Sequence, residues 1–141
     1  MTGIRVLGLL TAATLVAACG TPAGAEPAPP AETLTPLFSQ PLPNAPGQTL
    51  TSAVVTFPPA ARAHPHRHGD AFVYAYVLDG AVVSQLDGEP PHTYRRGDSW
   101  SEPPGTHHVL TDNASPPGEA RLLVVFIAPT GAALKVDDPP G

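Results

Sequence analysis

Histidine is the residue type with the clearest chemical potential in this sequence, because five of the six histidines fall in two tight clusters. The first cluster reads HPHRH at positions 64–68, and the second is His107-His108. Alternate residues of an extended segment share a face, so His64, His66 and His68 can all point one way. Neighbouring residues of a strand point to opposite faces, so only one of His107 and His108 can join them.

Such a pattern predicts a metal site. Imidazole nitrogens bind divalent ions at about 2.0–2.1 Å, and two histidines two positions apart in a strand form a natural chelate. A third ligand must come from elsewhere in the chain, and the second cluster supplies one. The alternative is a set of exposed loop histidines, but clustering at two strand starts favours the metal site.

The elements that must position these histidines are strands. Short apolar runs alternate with turn signals from about residue 48 onward, which is typical of an all-β sandwich or barrel. Asp79-Gly80 predicts a tight hairpin with positive φ, and the run AFVYAYVL at 71–78 predicts a strand buried on both faces. The predicted strands are 49–57, 71–78, 81–86, 92–95, 99–102, 107–111 and 121–128.

The N-terminal segment predicts export and a lipid anchor. Residues 1–18 hold one cation, Arg5, and an apolar stretch too short to span a bilayer, as in a signal peptide. Cys19 is the only cysteine and follows small residues, which resembles a bacterial lipobox; an ordinary secretory signal is the alternative. Residues 19–47 then form the lipidated cysteine and a Pro/Ala-rich tether, and 131–141 form a C-terminal tail. We expect a cell-envelope lipoprotein, periplasmic or at the outer surface, that meets the membrane only through its anchor.

Charge and composition exclude one class of partner. The net charge is −5, and no run of Lys or Arg interrupts the sequence. Binding to nucleic acid is therefore not expected, since it needs clustered cations to displace phosphate counterions.

Two motifs around the histidines resemble those of the cupin superfamily. His66-Arg67-His68, followed by a strand and Gly80, is similar to the first cupin motif. The residues that fall at the spacing of the second motif are Gly97, Pro103, Gly105 and His108. The resemblance implies a single jelly-roll β-barrel over 48–130 with metal ligands His66, His68 and His108, while His64 and His107 stay off the ion. It also implies a homodimer formed by edge-strand pairing.

The sequence departs from the cupin pattern at the acidic ligand. Counting back from Gly80, that ligand falls at Val73, which cannot coordinate a metal, and the motif's Asn comes one place late as Asn113. The site is then three histidines plus water, or weakened, or completed by Asp70. We favour three histidines and water, because open positions suit Lewis-acid or oxygen chemistry.

Other polar and aromatic residues lie near the predicted site. Glu102 is a candidate for a catalytic acid or base, although a solvated carboxylate at a strand end is the favoured interpretation. Gln85 is a second candidate for the cavity. The aromatic residues are predicted to line the core, with one or two bordering a ligand cavity: Phe72, Tyr74, Tyr76, Trp100 and Phe126.

These features predict a metal-binding lipoprotein with a small-molecule ligand. Its cofactor is expected to be one divalent ion, either Fe, Mn, Ni, Cu or Zn. The first functional hypothesis is a small metalloenzyme, a metal-dependent oxidoreductase of dioxygenase type or one using other oxygen or Lewis-acid chemistry. The second is a non-catalytic protein that binds or senses a small molecule or a metal at the cell surface.

Overall fold

The computed structural model of the chain describes residue 28 and residues 30–139, and all regular structure within them is β. The predicted leader at 1–18, Cys19 and the first part of the predicted tether lie outside the described residues. No helix in the described part is long and apolar enough to cross a membrane. The strands are β1 Thr33–Pro41, β2 Gln48–Phe57, β3 His66–Arg67, β4 Phe72–Asp79, β5 Ala81–Leu86, β6 His92–Arg95, β7 Ser99–Glu102, β8 His107–Asn113, β9 Ala120–Pro129 and β10 Val136–Asp137.

The strands form two five-stranded sheets that face each other, which confirms the predicted all-β fold class. One sheet has the order β1-β2-β9-β4-β7 and the other β10-β3-β8-β5-β6, and every pairing is antiparallel. Alternation along each strand turns one side chain in two toward the space between the sheets. The largest side chains buried there are Phe57, Val73, Val77 and Val82, and each contributes about 1.5–3 kcal/mol by leaving water.

Strand β1 corrects the predicted domain boundary at residue 48. Residues 33–41 belong to the first sheet rather than to a tether, because they pair with β2 from Thr33↔Thr56 to Pro41↔Thr49. The prolines that suggested a tether are compatible with this place, since β1 is an edge strand and its outer side needs no ladder hydrogen bonds. The barrel therefore begins about 15 residues before the predicted boundary.

The C-terminal segment also differs from the predicted loose tail. Val136 and Asp137 form β10 and pair with Arg67 and His66. The backbone N–H of Asp138 donates to the carbonyl of Pro65 at 2.8 Å. The segment thus packs against the strand that carries the first histidine cluster.

Strand β4 is not buried on both faces as predicted. Its inward residues Val73, Ala75 and Val77 are buried, but Phe72 and Tyr74 are 40% and 39% exposed. They lie on the outer face of the first sheet, so the prediction that they line the core is wrong. Gly80 does have the expected positive φ, of 70°. The predicted hairpin is wrong, however, because β4 and β5 belong to different sheets.

Asn113 fixes the turns at one end of the barrel. Its side-chain Nδ2 lies 2.9–3.0 Å from three backbone carbonyls, those of Phe57, Pro58 and Gly118. Its side-chain oxygen accepts from the N–H of Ser115 at 2.7 Å. The side chain is buried and fully engaged with backbone, so its role is structural.

Candidate metal centre

The second sheet brings the two histidine clusters together. Strand β3 pairs with β8 so that His66 lies directly opposite His108, and Arg67 lies opposite His107. Directly opposed residues of an antiparallel pair project to the same face, so His66 and His108 both point inward. His68 follows two positions after His66 and also faces the interior, where its ring packs against Phe126 with centroids 5.3 Å apart.

Three histidines form the cluster that the sequence predicts. All three are buried, with 9% exposure or less. One ring nitrogen from each lies within 4.8 Å of those of the other two. The residues are His66, His68 and His108.

The hydrogen bonds of His66 and His68 fix which nitrogen of each carries its proton. His66 Nδ1 lies 2.7 Å from the backbone carbonyl of His64, and His68 Nδ1 lies 2.5 Å from that of Leu134. A carbonyl oxygen only accepts, so each Nδ1 must carry the proton and donate it. In the neutral ring, Nε2 is then left with a free lone pair. Outer partners of this kind are typical of metal-binding histidines.

The two Nε2 atoms lie 3.2 Å apart. Neither has a proton to share, so this contact is not a hydrogen bond but an opposition of two lone pairs. Two nitrogens bound at about 2.0–2.1 Å to one ion are about 2.9–3.4 Å apart, between octahedral and tetrahedral angles. The spacing therefore fits two ligands of a single divalent ion.

His108 is held by hydroxyl groups of its own sheet. Its Nε2 lies 2.7 Å from the hydroxyls of both Ser84 and Thr111. Its Nδ1 is buried and lies 3.1 Å from Glu102 Oε1, although the contact lacks hydrogen-bond geometry. This nitrogen faces the carboxylate, and His108 is the neighbour that most lowers the pKa of Glu102.

Glu102 is buried beside the cluster, which corrects the prediction that it is a solvated strand-end carboxylate. It is 2% exposed and points inward from β7 opposite Val73 of β4. The indole N–H of Trp100 donates to its Oε1 at 3.0 Å. Its Oε2 has no hydrogen-bond partner and lies 3.6 Å from His68 Nε2.

Burial and neighbouring groups set the charges of the cluster. Burial, together with the nearby imidazoles, lowers the pKa of His66 to about 4. Burial is also the main cause that lowers the pKa of His68. Burial raises the pKa of the Glu102 carboxyl, but His108, His68 and the Trp100 N–H outweigh it and leave that pKa lowered. At neutral pH the site thus holds neutral His66 and His68 rings beside a carboxylate, the protonation states that metal binding needs.

Other polar candidates lie away from the cluster. His107 Nε2 lies 2.7 Å from Asp138 Oδ2, on the face opposite His108. The amide of Gln85 donates to the backbone of Glu89 at 2.9 Å, so Gln85 does not reach the site. His64 supplies only its carbonyl. Asp70 and His92 are exposed.

A cavity of about 210 Å³ opens beside the cluster. Its walls are mostly apolar and include Val124, Phe126 and Trp100. At its rim, Lys135 Nζ lies 2.6 Å from Glu32 Oε1 and joins the C-terminal segment to the chain before β1. An engineered cavity of about 150 Å³ holds benzene, so this one accommodates a slightly larger small molecule.

The comparisons with known proteins agree with this architecture. The model of the cupin domain family matches residues 53–126, which is more than half of the chain. The chain belongs to the cupin family. No curated protein is detectably similar to this cupin in sequence.

Several solved structures share the cupin fold. KdgF from Halomonas sp. is 22% identical with a TM-score of 0.58, over 72% of this chain and 83% of that one. An oxalate oxidase in complex with the substrate analogue glycolate is 21% identical with a TM-score of 0.59, over 75% and 54%. The DMSP lyase DddQ from Ruegeria pomeroyi DSS-3 is 26% identical with a TM-score of 0.58, over 65% and 45%. The chain thus spans about half the length of the last two.

Sequence patterns alone undervalued one neighbour of the centre and missed three others. Glu102 was undervalued because proximity to a proline at a strand end is common for exposed carboxylates. The carbonyl of Leu134 comes from a segment predicted as a loose tail. The hydroxyls of Ser84 and Thr111 lie on β5 and β8, and only the register between those two strands places them beside His108.

Proposed function

We propose that this cupin binds one divalent metal ion through His66, His68 and His108 and holds a small molecule in the adjoining cavity. The observation that carries the proposal is the opposition of two Nε2 lone pairs at 3.2 Å. Both rings are locked in that tautomer by backbone carbonyls. A shared cation turns this repulsion into attraction, and Fe, Mn, Ni, Cu and Zn all accept imidazole ligands.

The first candidate function is that of a small metalloenzyme. A bound ion would supply Lewis acidity or, if it is redox-active, oxygen chemistry of the dioxygenase type. The protein supplies a mostly apolar cavity beside the ion, which excludes water and orients a small molecule. Similar folds in an oxalate oxidase and a DMSP lyase support small-molecule chemistry for this site.

The second candidate function is non-catalytic binding or sensing of a small molecule or metal at the cell surface. It is favoured by the buried carbonyl and hydroxyl partners that hold the rings rigidly, as a binding site requires. Turnover of any oxygen-bearing small molecule by the metal-loaded protein supports the first candidate. Saturable binding without turnover supports the second.

The metal content of the purified full chain tests the proposal. We expect close to one ion per chain by mass spectrometry, either as isolated or after incubation with Mn²⁺, Fe²⁺, Ni²⁺, Cu²⁺ and Zn²⁺ in turn. If the chain binds none of these ions, the proposed function is wrong. The identity of the preferred ion then separates oxygen chemistry from Lewis-acid chemistry or binding.

We further propose that the chain is exported and anchored through lipidated Cys19, with the leader at 1–18 removed. The support is the position of the only cysteine directly after an apolar leader. A chain with Cys19→Ser should leave the membrane fraction and lose the added mass of the acyl groups. Retention of that variant in the membrane fraction argues against the anchor.

We also propose a homodimer, formed by the outer face of the first sheet rather than by edge strands. The edges are poorly suited to pairing, since β1 carries Pro36 and Pro41 and β7 has four residues. The outer face instead presents three registered rows on its central strands, and Ser52 is the one polar residue among their nine positions. The other eight are Leu50, Val54, Phe72, Tyr74, Tyr76, Leu123, Val125 and Ile127.

The chemistry of this face suits a second copy of the chain. A charged residue near a two-fold axis meets its own like charge, and none of the described residues paired in these rows is charged. With strands about 4.8 Å apart, the face covers about 20 Å across five strands. Three rows spaced two residues apart span about 14 Å along the strands, so the rows themselves cover about 300 Å², which is part of the roughly 800 Å² per partner of a standard interface.

Sedimentation of the wild-type chain at micromolar concentration should show a dimer. Val125→Lys should yield a monomer, because a two-fold axis would bury two opposed ammonium groups. Thr93→Lys, on an exposed strand of the other sheet, is the matched control and should leave the dimer intact. A monomeric wild type, or a dimer that survives Val125→Lys, would overturn the proposal.

A further inference from the structure

Glu102 is a buried carboxylate with too few partners. Carboxylates are rarely buried in proteins unless a cation accompanies them. The described residues with charge or protons to offer near Glu102 are His68, His108 and Trp100, and none is a Lys or an Arg. The indole N–H donates to Oε1 and His108 Nδ1 lies 3.1 Å from the same oxygen, so both groups face Oε1 and leave the buried Oε2 without a hydrogen-bond partner.

The unsatisfied oxygen of Glu102 faces a nitrogen that has no proton to donate to it. Oε2 lies 3.6 Å from His68 Nε2, and that nitrogen carries a lone pair because Nδ1 donates to Leu134. A protonated Oε2 could not bond this nitrogen either, because 3.6 Å is too long for a hydrogen bond. His68 Nε2 therefore faces two other acceptors without a proton between them, Glu102 Oε2 at 3.6 Å and His66 Nε2 at 3.2 Å.

The strand register explains how a carboxylate comes to lie here. Val73 and Glu102 are directly paired across β4 and β7, and both side chains point inward. Directly opposed positions have Cβ atoms about 4.5–5.5 Å apart. A carboxylate at either position can therefore reach the same part of the interior, and in this chain β7 provides it.

We infer that Glu102 is a fourth ligand of the metal ion held by the three histidines, supplied from β7 in place of a ligand at position 73. The inference rests on the proposed function, since it requires that the chain binds a metal. A carboxylate oxygen makes the centre harder and reduces its net charge by one, which favours Mn(II) and Fe(II) relative to an all-imidazole site. Glu102 then acts as a ligand and is not free to serve as a general base.

Two variants test this role against a merely structural one. Glu102→Gln keeps the size of the side chain and the acceptor for Trp100 but removes the charge. We expect it to bind Mn²⁺ at least tenfold more weakly than wild type in a competition titration with a chelator. The metal-free variant should melt at the same temperature as the metal-free wild type or higher, because an unpaired buried charge is gone.

The exchange variant Val73→Glu/Glu102→Val gives the sharper test. It moves the carboxylate across the strand pair, and we expect it to recover Mn²⁺ affinity to within tenfold of wild type, while Glu102→Val alone stays weak. The absorption spectrum of bound Co²⁺ should change in intensity in Glu102→Gln and return in the exchange variant, since it reports the ligand set.

The outcomes separate the inference from the proposed function. If wild type binds a metal and Glu102→Gln binds it equally well with an unchanged Co²⁺ spectrum, Glu102 is not a ligand, although the metal site stands. If metal-free Glu102→Gln melts well below wild type, Glu102 has a structural role and the inference fails. If wild type binds no metal, both the inference and the proposed function fail.

Discussion

Replacing His66 with alanine should lower the affinity for the preferred metal by more than about a hundredfold, because loss of a mere hydrogen-bonding partner of a ligand already costs 10–100-fold. His66 contributes one of the two opposed Nε2 lone pairs and lies opposite His108 in the sheet. His108→Ala should have an effect of the same size. Chelator competition with Zn²⁺ or Mn²⁺ measures both.

The neighbouring histidines provide matched controls for this experiment. His64→Ala keeps the backbone carbonyl that accepts from His66 Nδ1, and His107→Ala removes a ring that faces Asp138 instead of the cluster. Each should change metal affinity less than about threefold. Equal losses in His64→Ala and His66→Ala would mean that the first histidine cluster binds metal as a flexible loop, contrary to the geometry of the site.

These controls also show how far the sequence could determine the site. The alternation rule placed His66 and His68 on one face but did not separate them from His64. Separation depends on strand β3, which contains only His66 and Arg67 and is defined by pairing with β8 and β10. Pairing between distant segments cannot be read from local periodicity. The resemblance to the cupin motifs singled out the three histidines whose rings the structure brings together.

The strands were predictable where apolar alternation was strong. The seven predicted strands all occur in the structure, and β4 to β7 begin and end within about one residue of the prediction. Strand β1 was not predicted because its prolines are also typical of the Pro/Ala-rich tether to which the segment was assigned. The exposure of Phe72 and Tyr74 was not predicted. The sequence of a strand that is apolar on both faces is the same whether its outer face packs against a second layer or is exposed to solvent.

The position of Glu102 shows why the sequence did not favour it as an acidic group of the site. The position on β4 where the cupin motif has its acidic ligand holds Val73, and Asp70, the nearest acidic residue before it in sequence, is exposed. The carboxylate comes instead from the strand paired to β4. Two residues that are directly paired on neighbouring strands reach the same part of the interior, although they are far apart in sequence. A linear motif that describes one strand therefore does not show that the paired strand carries the side chain.

Acidification should destabilise the metal-free protein. The pKa of His66 is lowered from 6.5 to about 4 in the folded state, so between these values the unfolded chain binds a proton that the folded chain does not. Stability therefore falls as the pH falls through this window. At 1.36 kcal/mol per pH unit, His66 alone accounts for about 3 kcal/mol between pH 7 and pH 4. His68 adds in the same direction, since its pKa is also lowered.

Urea denaturation in the presence of a chelator, at half-unit steps from pH 7.5 to 4.5, measures this loss. The matched control is His92→Ala, because His92 is exposed on β6 and its removal should leave the profile unchanged. A flat profile between pH 6.5 and 5 would show that the buried imidazoles take up protons in the folded state.

Added metal should raise the free energy of unfolding by RT ln(1 + [metal]/Kd) at neutral pH. That gain should shrink on acidification, because protons compete with the ion for the same Nε2 lone pairs.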